Sequence, residues 1–137
     1  MSEPGAGWVV LVEDDLAVAQ MYRLGLELHG GFRVTIADSG DELFGSLDGQ
    51  TPDVIVLDYQ LPFENGAQVL ERIRLDDRFT AARVFMLSNF PPTHENAIDR
   101  VFKSGAIAWF EKTKTSPKLL AEKLVEALQT ARAGEGV

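Results

Sequence analysis

The chain has 137 residues, a length that suits one domain and leaves no room for a second of ordinary size. It contains no cysteine, which excludes a disulfide framework, a thiolate nucleophile and a Cys-bearing zinc site, and 13 Lys and Arg against 21 Asp and Glu give a formal charge of -8, which argues against a dedicated nucleic-acid binder. Hydrophobic residues at 45% suit a globular core, no apolar run approaches the ~18 residues of a membrane helix, and no basic-then-apolar leader is present, so a cytoplasmic protein is expected.

After an N-terminal tail expected over residues 1–7, Trp8 to Val12 is a continuously apolar run of strand length. Ala17, Met21, Leu24 and Leu28 follow at i, i+4, i+7 and i+11, an apolar stripe of helical period. Val34 to Ala37 is a shorter run suited to a sheet edge, and Ser39 with Glu42 has capping-box spacing for a helix through about Leu47. Val54 to Leu57 and Val84 to Leu87 are two further apolar strands. Gly105 suits the end of a helix containing Ala97 and Val101, Ala108 to Phe110 reads as another strand, and Ser116-Pro117 reads as N-cap and first residue of a last helix carrying Leu120, Leu124, Ala127 and Ala131. A second tail is expected over 133–137. Strict alternation of strand and helix predicts an α/β fold: a doubly wound, five-stranded parallel sheet with right-handed crossovers and helices on both faces. The most apolar strands belong inside, which predicts the order 2-1-3-4-5, with ligands at the C-terminal ends of strands 1 and 3 where the winding reverses.

That crevice is where the unusual residues fall. Glu13-Asp14-Asp15 directly follows strand 1, and Asp58 ends strand 3. Neighbouring strands lie ~4.8 Å apart, so Asp14 and Asp58 approach within about 5 Å and repel by roughly 3 kcal/mol at an effective dielectric near 20. A hard divalent cation with oxygen ligands answers that repulsion, and Mg2+ typically takes one or two carboxylates, keeps waters and accepts phosphate oxygens. Asp15 reads as a helix cap. Ser88 at the end of strand 4 supplies a hydroxyl and Lys112 beyond strand 5 an ammonium, both suited to a phosphoryl group on Asp58. His29 and His94 read as surface residues with no catalytic part.

These motifs, in order along five strand-helix units, resemble a response-regulator receiver domain of the CheY-like kind over roughly residues 8–132. Leu-Val-Glu13-Asp14-Asp15 resembles the family's acidic pair, Leu57-Asp58-Tyr-Gln60-Leu-Pro62 its phosphoacceptor strand, and Asn65-Gly66 the turn that follows; Met-Leu-Ser88 resembles the switch hydroxyl, and Gly105-Ala106-Ile-Ala-Trp109-Phe-Glu-Lys112 the Gly-Ala, aromatic and Lys spacing. The resemblance implies a flavodoxin-like three-layer sandwich in which Asp58 takes a phosphoryl group from a histidine kinase or phosphotransfer protein. It implies that Asp14, Asp58 and the backbone carbonyl of Gln60 hold Mg2+, with Mn2+ as the alternative, and that Glu13 acts through water or supports the site. Lys112 and Ser88 would bind phosphate oxygens. Movement of Ser88 would free space for Trp109 and repack the face made by helix 4, strand 5 and helix 5, which would bind a downstream protein or a second copy of the chain.

Two departures from the family pattern bear on the chemistry. Thr113 follows Lys112 where the family has Pro, so a trans bond or a strained loop is expected there. Asn89 after Ser88 narrows access to the phosphoryl group, and Phe90-Pro91-Pro92 stiffens the approach to helix 4, so phosphotransfer is expected to be slower or more selective. Three rival readings carry less. An aspartyl-phosphate phosphatase wants a second acid two residues after the nucleophile, where Gln60 stands. A flavodoxin-type cofactor site wants a Gly- or Ser/Thr-rich phosphate loop where the Glu13-Asp14-Asp15 acids stand. A degenerate receiver acting as a phosphorylation-independent protein-binding module is the closest rival. No DNA-binding motif follows the last helix, so a stand-alone regulator working through protein contacts, without nucleic acid or membrane, is expected.

Overall fold

In the computed structural model, which describes residues 7–89 and 95–135, every predicted strand forms. The elements are β1 (Trp8–Val12), α1 (Leu16–Gly30), β2 (Arg33–Ala37), α2 (Gly40–Gly45), β3 (Val54–Asp58), α3 (Gly66–Arg74), β4 (Arg83–Ser88), α4 (Glu95–Lys103), β5 (Ala106–Glu111) and α5 (Pro117–Glu135). The strands pair in parallel in the order β2-β1-β3-β4-β5, the predicted doubly wound arrangement. Most of the N-terminal tail, residues 136–137, Phe90-Pro91-Pro92 and His94 lie outside the described residues. α5 ends at Glu135.

Burial explains the strand order. Every residue of β1 and β3 is buried, whereas β2 and β5 are mostly half-exposed, as two edge strands must be. Successive residues of a strand point to opposite faces, so the interior strands feed two cores. Val10, Val12, Ile55, Leu57, Val84 and Met86 pack with Leu43, Leu70 and Ile73 on one face. Val9, Leu11, Val54, Val56, Phe85 and Leu87 pack with Leu26, Leu120 and Leu124 on the other.

The helix boundaries follow from local chemistry. Asp15 caps α1 as expected, its carboxylate accepting from the Val18 N–H at 3.2 Å. Ser39 accepts from the Glu42 N–H at 3.1 Å, but Glu42 accepts from Asp38 rather than Ser39, and α2 stops at Gly45, short of Leu47. Ser116 accepts from the Leu119 N–H at 3.1 Å, with Pro117 opening α5.

The first apolar stripe forms a helix as its spacing predicts, but it is not that helix's buried face. Ala17, Met21, Leu24 and Leu28 do lie on a helix, but they face solvent, Leu24 being 66% and Leu28 74% exposed. The inner face of α1 carries Ala19, Tyr22, Gly25 and Leu26. Contact with α5 decides the rotation: a Cβ on Gly25 would stand 2.2 Å from the Pro117 Cβ, so α1 meets the start of α5 at a residue without a side chain. Among the described residues, no helix is long and apolar enough to cross a membrane.

Candidate functional site

The crevice is built from strand ends. The Glu13 N–H donates to the Ala37 carbonyl at 2.9 Å, carrying the β1–β2 ladder one residue beyond β1 and fixing the Glu13 backbone. Asp58 is the last residue of β3, and its strand end is closed over by the first turn of α3. Gly66 permits that closure, since a Cβ there would lie 2.6 Å from the Asp58 carbonyl oxygen and 2.8 Å from the Tyr59 Cα. Asn65 and Gln68 cap the same turn reciprocally, with bonds of 2.8 and 2.9 Å, so the Asn65-Gly66 turn is the N-terminus of α3.

Glu13, Asp14 and Asp58 each offer a carboxylate oxygen, and the three lie within 4.8 Å of one another. Glu13 and Asp58 are buried, while Asp14 is exposed at the rim. Lys112, immediately after β5, reaches between them: its Nζ bonds Glu13 Oε1, and Asp58 Oδ2 at 3.0 Å. The other oxygens are held by main chain, Asp58 Oδ1 by the Gln60 N–H and Glu13 Oε2 by the Asp15 N–H, each at 3.1 Å. Burial alone would lower the Lys112 pKa, but the hydrogen bonds it donates to Glu13 and Asp58 and the charges of both outweigh it and raise the value, so the ammonium stays charged. Three carboxylates facing one ammonium leave two negative charges uncompensated. That residual charge and an all-oxygen donor set fit a hard divalent cation and not a soft metal.

Ser88 ends β4 on the same rim, buried, in register with Glu111 of β5. Trp109, half-buried on β5, lies with its ring centroid 5.1 Å from that of Tyr59 at 37°, and Tyr59 is the residue after Asp58. The stretch after Lys112 is one 3-10 turn, Lys112–Lys114, with neither a cis peptide nor a positive φ, so the unstrained alternative holds at Thr113. Asn89 is exposed beside Ser88. Beyond Asp14 the crevice opens into a cleft of about 420 Å³, bounded by Asp38, Asp41, Pro62, Phe63 and Glu64.

Two residues of this neighbourhood were not singled out by their sequence position. Tyr59 stands inside the phosphoacceptor motif, between Asp58 and Gln60, but no role is assigned to it there. Tyr22 lies mid-helix in α1, and its hydroxyl donates to the Thr115 carbonyl at 2.7 Å and lies 3.4 Å from that of Lys112. Its one clue is a hydroxyl-bearing ring among apolar helix residues, which asks for a partner once buried.

Residues 9–124 match the sequence profile of the response regulator receiver domain. The chain is 31% identical over 115 residues to the transcriptional regulatory protein TrcR of Mycobacterium tuberculosis, an alignment covering 82% of this chain and 42% of that protein. It is 31% identical over 111 residues to a protein-glutamate methylesterase/protein-glutamine glutaminase of Gluconobacter oxydans, covering 79% of this chain and 30% of that one. The chain therefore spans less than half the length of these two relatives. Among solved structures, the receiver domain of the Francisella response regulator 1452 superposes with a TM-score of 0.76 at 27% identity, covering 91% of this chain and 98% of that one. A CheY-like receiver domain protein from Methanospirillum hungatei shares the fold with a TM-score of 0.77 at 24% identity, over 93% and 97% of the two chains.

Proposed function

The chain belongs to the response regulator receiver domain family, and from that membership we propose that Asp58 accepts a phosphoryl group from a phosphohistidine of a histidine kinase or phosphotransfer protein. The observation that carries the proposal is the cluster itself: Glu13, Asp14 and Asp58 converge within 4.8 Å while Lys112 reaches two of them. An Asp58 carboxylate oxygen attacks phosphorus, a P–O bond forms as the P–N bond breaks, and the donor imidazole leaves with the electron pair. Lys112 shifts from Asp58 Oδ2 toward a phosphoryl oxygen, and the Ser88 hydroxyl donates to another. Asp14, Asp58 and the Gln60 carbonyl, with Glu13 in support, suit Mg2+ or Mn2+, which when bound neutralises charge on the phosphoryl oxygens.

The output follows from contacts that differ between the two states. Once Lys112 and Ser88 turn to the phosphoryl group, the ends of β4 and β5 rearrange and Trp109 repacks against Tyr59. Phe102 on α4, Ile107 on β5 and Leu119 on α5 are exposed apolar residues on the elements this would move. That face would bind a downstream protein or a second copy of the chain. The domain itself acts in the cytoplasm as a signalling switch that catalyses only its own phosphorylation and dephosphorylation, and its acidic balance disfavours direct nucleic-acid contact by this segment.

Incubation with Mg2+ and acetyl phosphate, followed by intact-mass measurement, tests the assignment. A gain of one phosphoryl group that is lost in Asp58→Ala is expected. No gain by the unaltered protein, even with a cognate kinase, would sink the phosphoacceptor role and favour a phosphorylation-independent binding module.

A further inference from the structure

We infer that Tyr22 is a positioning residue for phosphoryl transfer, holding the backbone turn that presents Lys112 to the two buried carboxylates. The inference rests on the phosphoacceptor reading of Asp58.

Lys112 has a demanding reach. It follows β5, an edge strand, while its partners Asp58 and Glu13 belong to β3 and to the end of β1, with β4 lying between. At about 4.8 Å per strand, a small rotation of the turn withdraws the ammonium from both carboxylates. Within the turn the restraints are the Thr115 N–H bond to the Lys112 carbonyl and a Lys114–Glu111 pair at 3.1 Å whose lysine is exposed, and Thr113 does not restrict the backbone as proline would.

Tyr22 supplies the restraint from outside. Its hydroxyl donates to the Thr115 carbonyl at 2.7 Å, and the Lys112 carbonyl lies 3.4 Å from the same oxygen. The Thr115 N–H in turn donates to the Lys112 carbonyl at 3.3 Å. The phenol therefore holds the Thr115 end of the turn directly and the Lys112 end through the Thr115 N–H. The ring is 1% exposed, and Thr115 4% exposed, so the bond is formed away from water and its loss would leave a buried carbonyl unpaired. Tyr22 also sits on α1, the helix that begins directly after Glu13, Asp14 and Asp15. One side chain thus ties the backbone that carries the cation to the helix that follows the anions. A phenylalanine would fill the same volume; only the hydroxyl reaches the turn.

Tyr22→Phe, Lys112→Met and the double variant form the test, each compared with the unaltered chain by initial rate of phosphorylation from acetyl phosphate at saturating Mg2+, at a temperature where all four are folded. Tyr22→Phe is expected to slow the reaction about tenfold, less than the roughly hundredfold loss that a full 1 Å misplacement can cause. In the Lys112→Met background it is expected to slow nothing further, while lowering Tm by the same amount in both backgrounds. An equal fold-loss in both backgrounds, or a Tyr22→Phe rate equal to that of the unaltered chain, overturns the inference. A second readout needs no phosphorylation: the Lys112 ammonium protons, followed by NMR, are expected to exchange with water faster in Tyr22→Phe, and unchanged exchange overturns the inference. If the unaltered chain accepts no phosphoryl group while the ammonium does respond, the Asp58 reading fails and the hold of Tyr22 on Lys112 stands.

Discussion

Lys112 carries the charge balance of the crevice. The acidic pair and Asp58 raise the need for a positive charge, for which the sequence predicts a metal ion; the fold answers it first with an ammonium bonded to Glu13 and Asp58. Removing that ammonium leaves two buried carboxylates facing one another, and breaking a buried pair typically costs about 3–5 kcal/mol. Lys112→Met should therefore lower Tm in chelator. It should also bind Mg2+ more tightly, because the cation then meets the uncompensated charge of all three acids, so its Tm should rise more on Mg2+ addition than that of the unaltered chain. A smaller rise, measured by thermal unfolding across a Mg2+ titration, would show that Lys112 and the metal do not share this task. Asp58, Glu13, Asp14 and Lys112 were legible as chemistry because each is a charged residue at the end of an apolar run. The division of labour between Lys112 and the metal was not, because the bridging contact joins residues far apart in the chain.

At the scale of elements, α1 shows where periodicity stops informing. Two apolar stripes run along it: Met21, Leu24 and Leu28 on one side, Ala19, Tyr22 and Leu26 on another. Both have helical spacing, and the choice between them is made by α5, which meets α1 at Gly25. The contrast is measurable by urea unfolding. Leu26→Ala, at a site with no exposure, should cost about 2–5 kcal/mol, and Leu24→Ala, two-thirds exposed, should stay within about 0.5 kcal/mol. Comparable losses at the two sites would mean that α1 is rotated from the face described. β3 presents no such ambiguity, since an element apolar on both sides must be covered on both sides.

For the whole molecule, the response to pH separates buried from exposed pairing. The Lys112 pKa is raised, so its pairing contributes fully below the ordinary lysine value of 10.5 and is lost as pH rises through the higher folded-state value. Glu71 and Asp76 have pKa values lowered chiefly by hydrogen bonds from Arg100 and Arg78. Their contributions are complete above the ordinary values of 4.5 and 3.8 and are lost as pH falls through the depressed ones. These two acid-side pairs are exposed, and at 1 M salt the screening length is about 3 Å, so salt should flatten the acid limb of a Tm–pH profile and leave the alkaline limb largely in place. Equal flattening of both limbs would place the Lys112 cluster in contact with bulk solvent.

The amino-acid sequence alone determined the elements, their α/β alternation, the parallel sheet order and the family, because apolar runs, caps and strand-end acids are local signals that need no partner to be read. Tertiary structure decided which face of α1 is buried, that Lys112 bridges Glu13 and Asp58, and that Tyr22 reaches the turn after β5. Each of those is a contact between segments distant in the chain, set by which surfaces the two cores bring together and not by any spacing along the sequence.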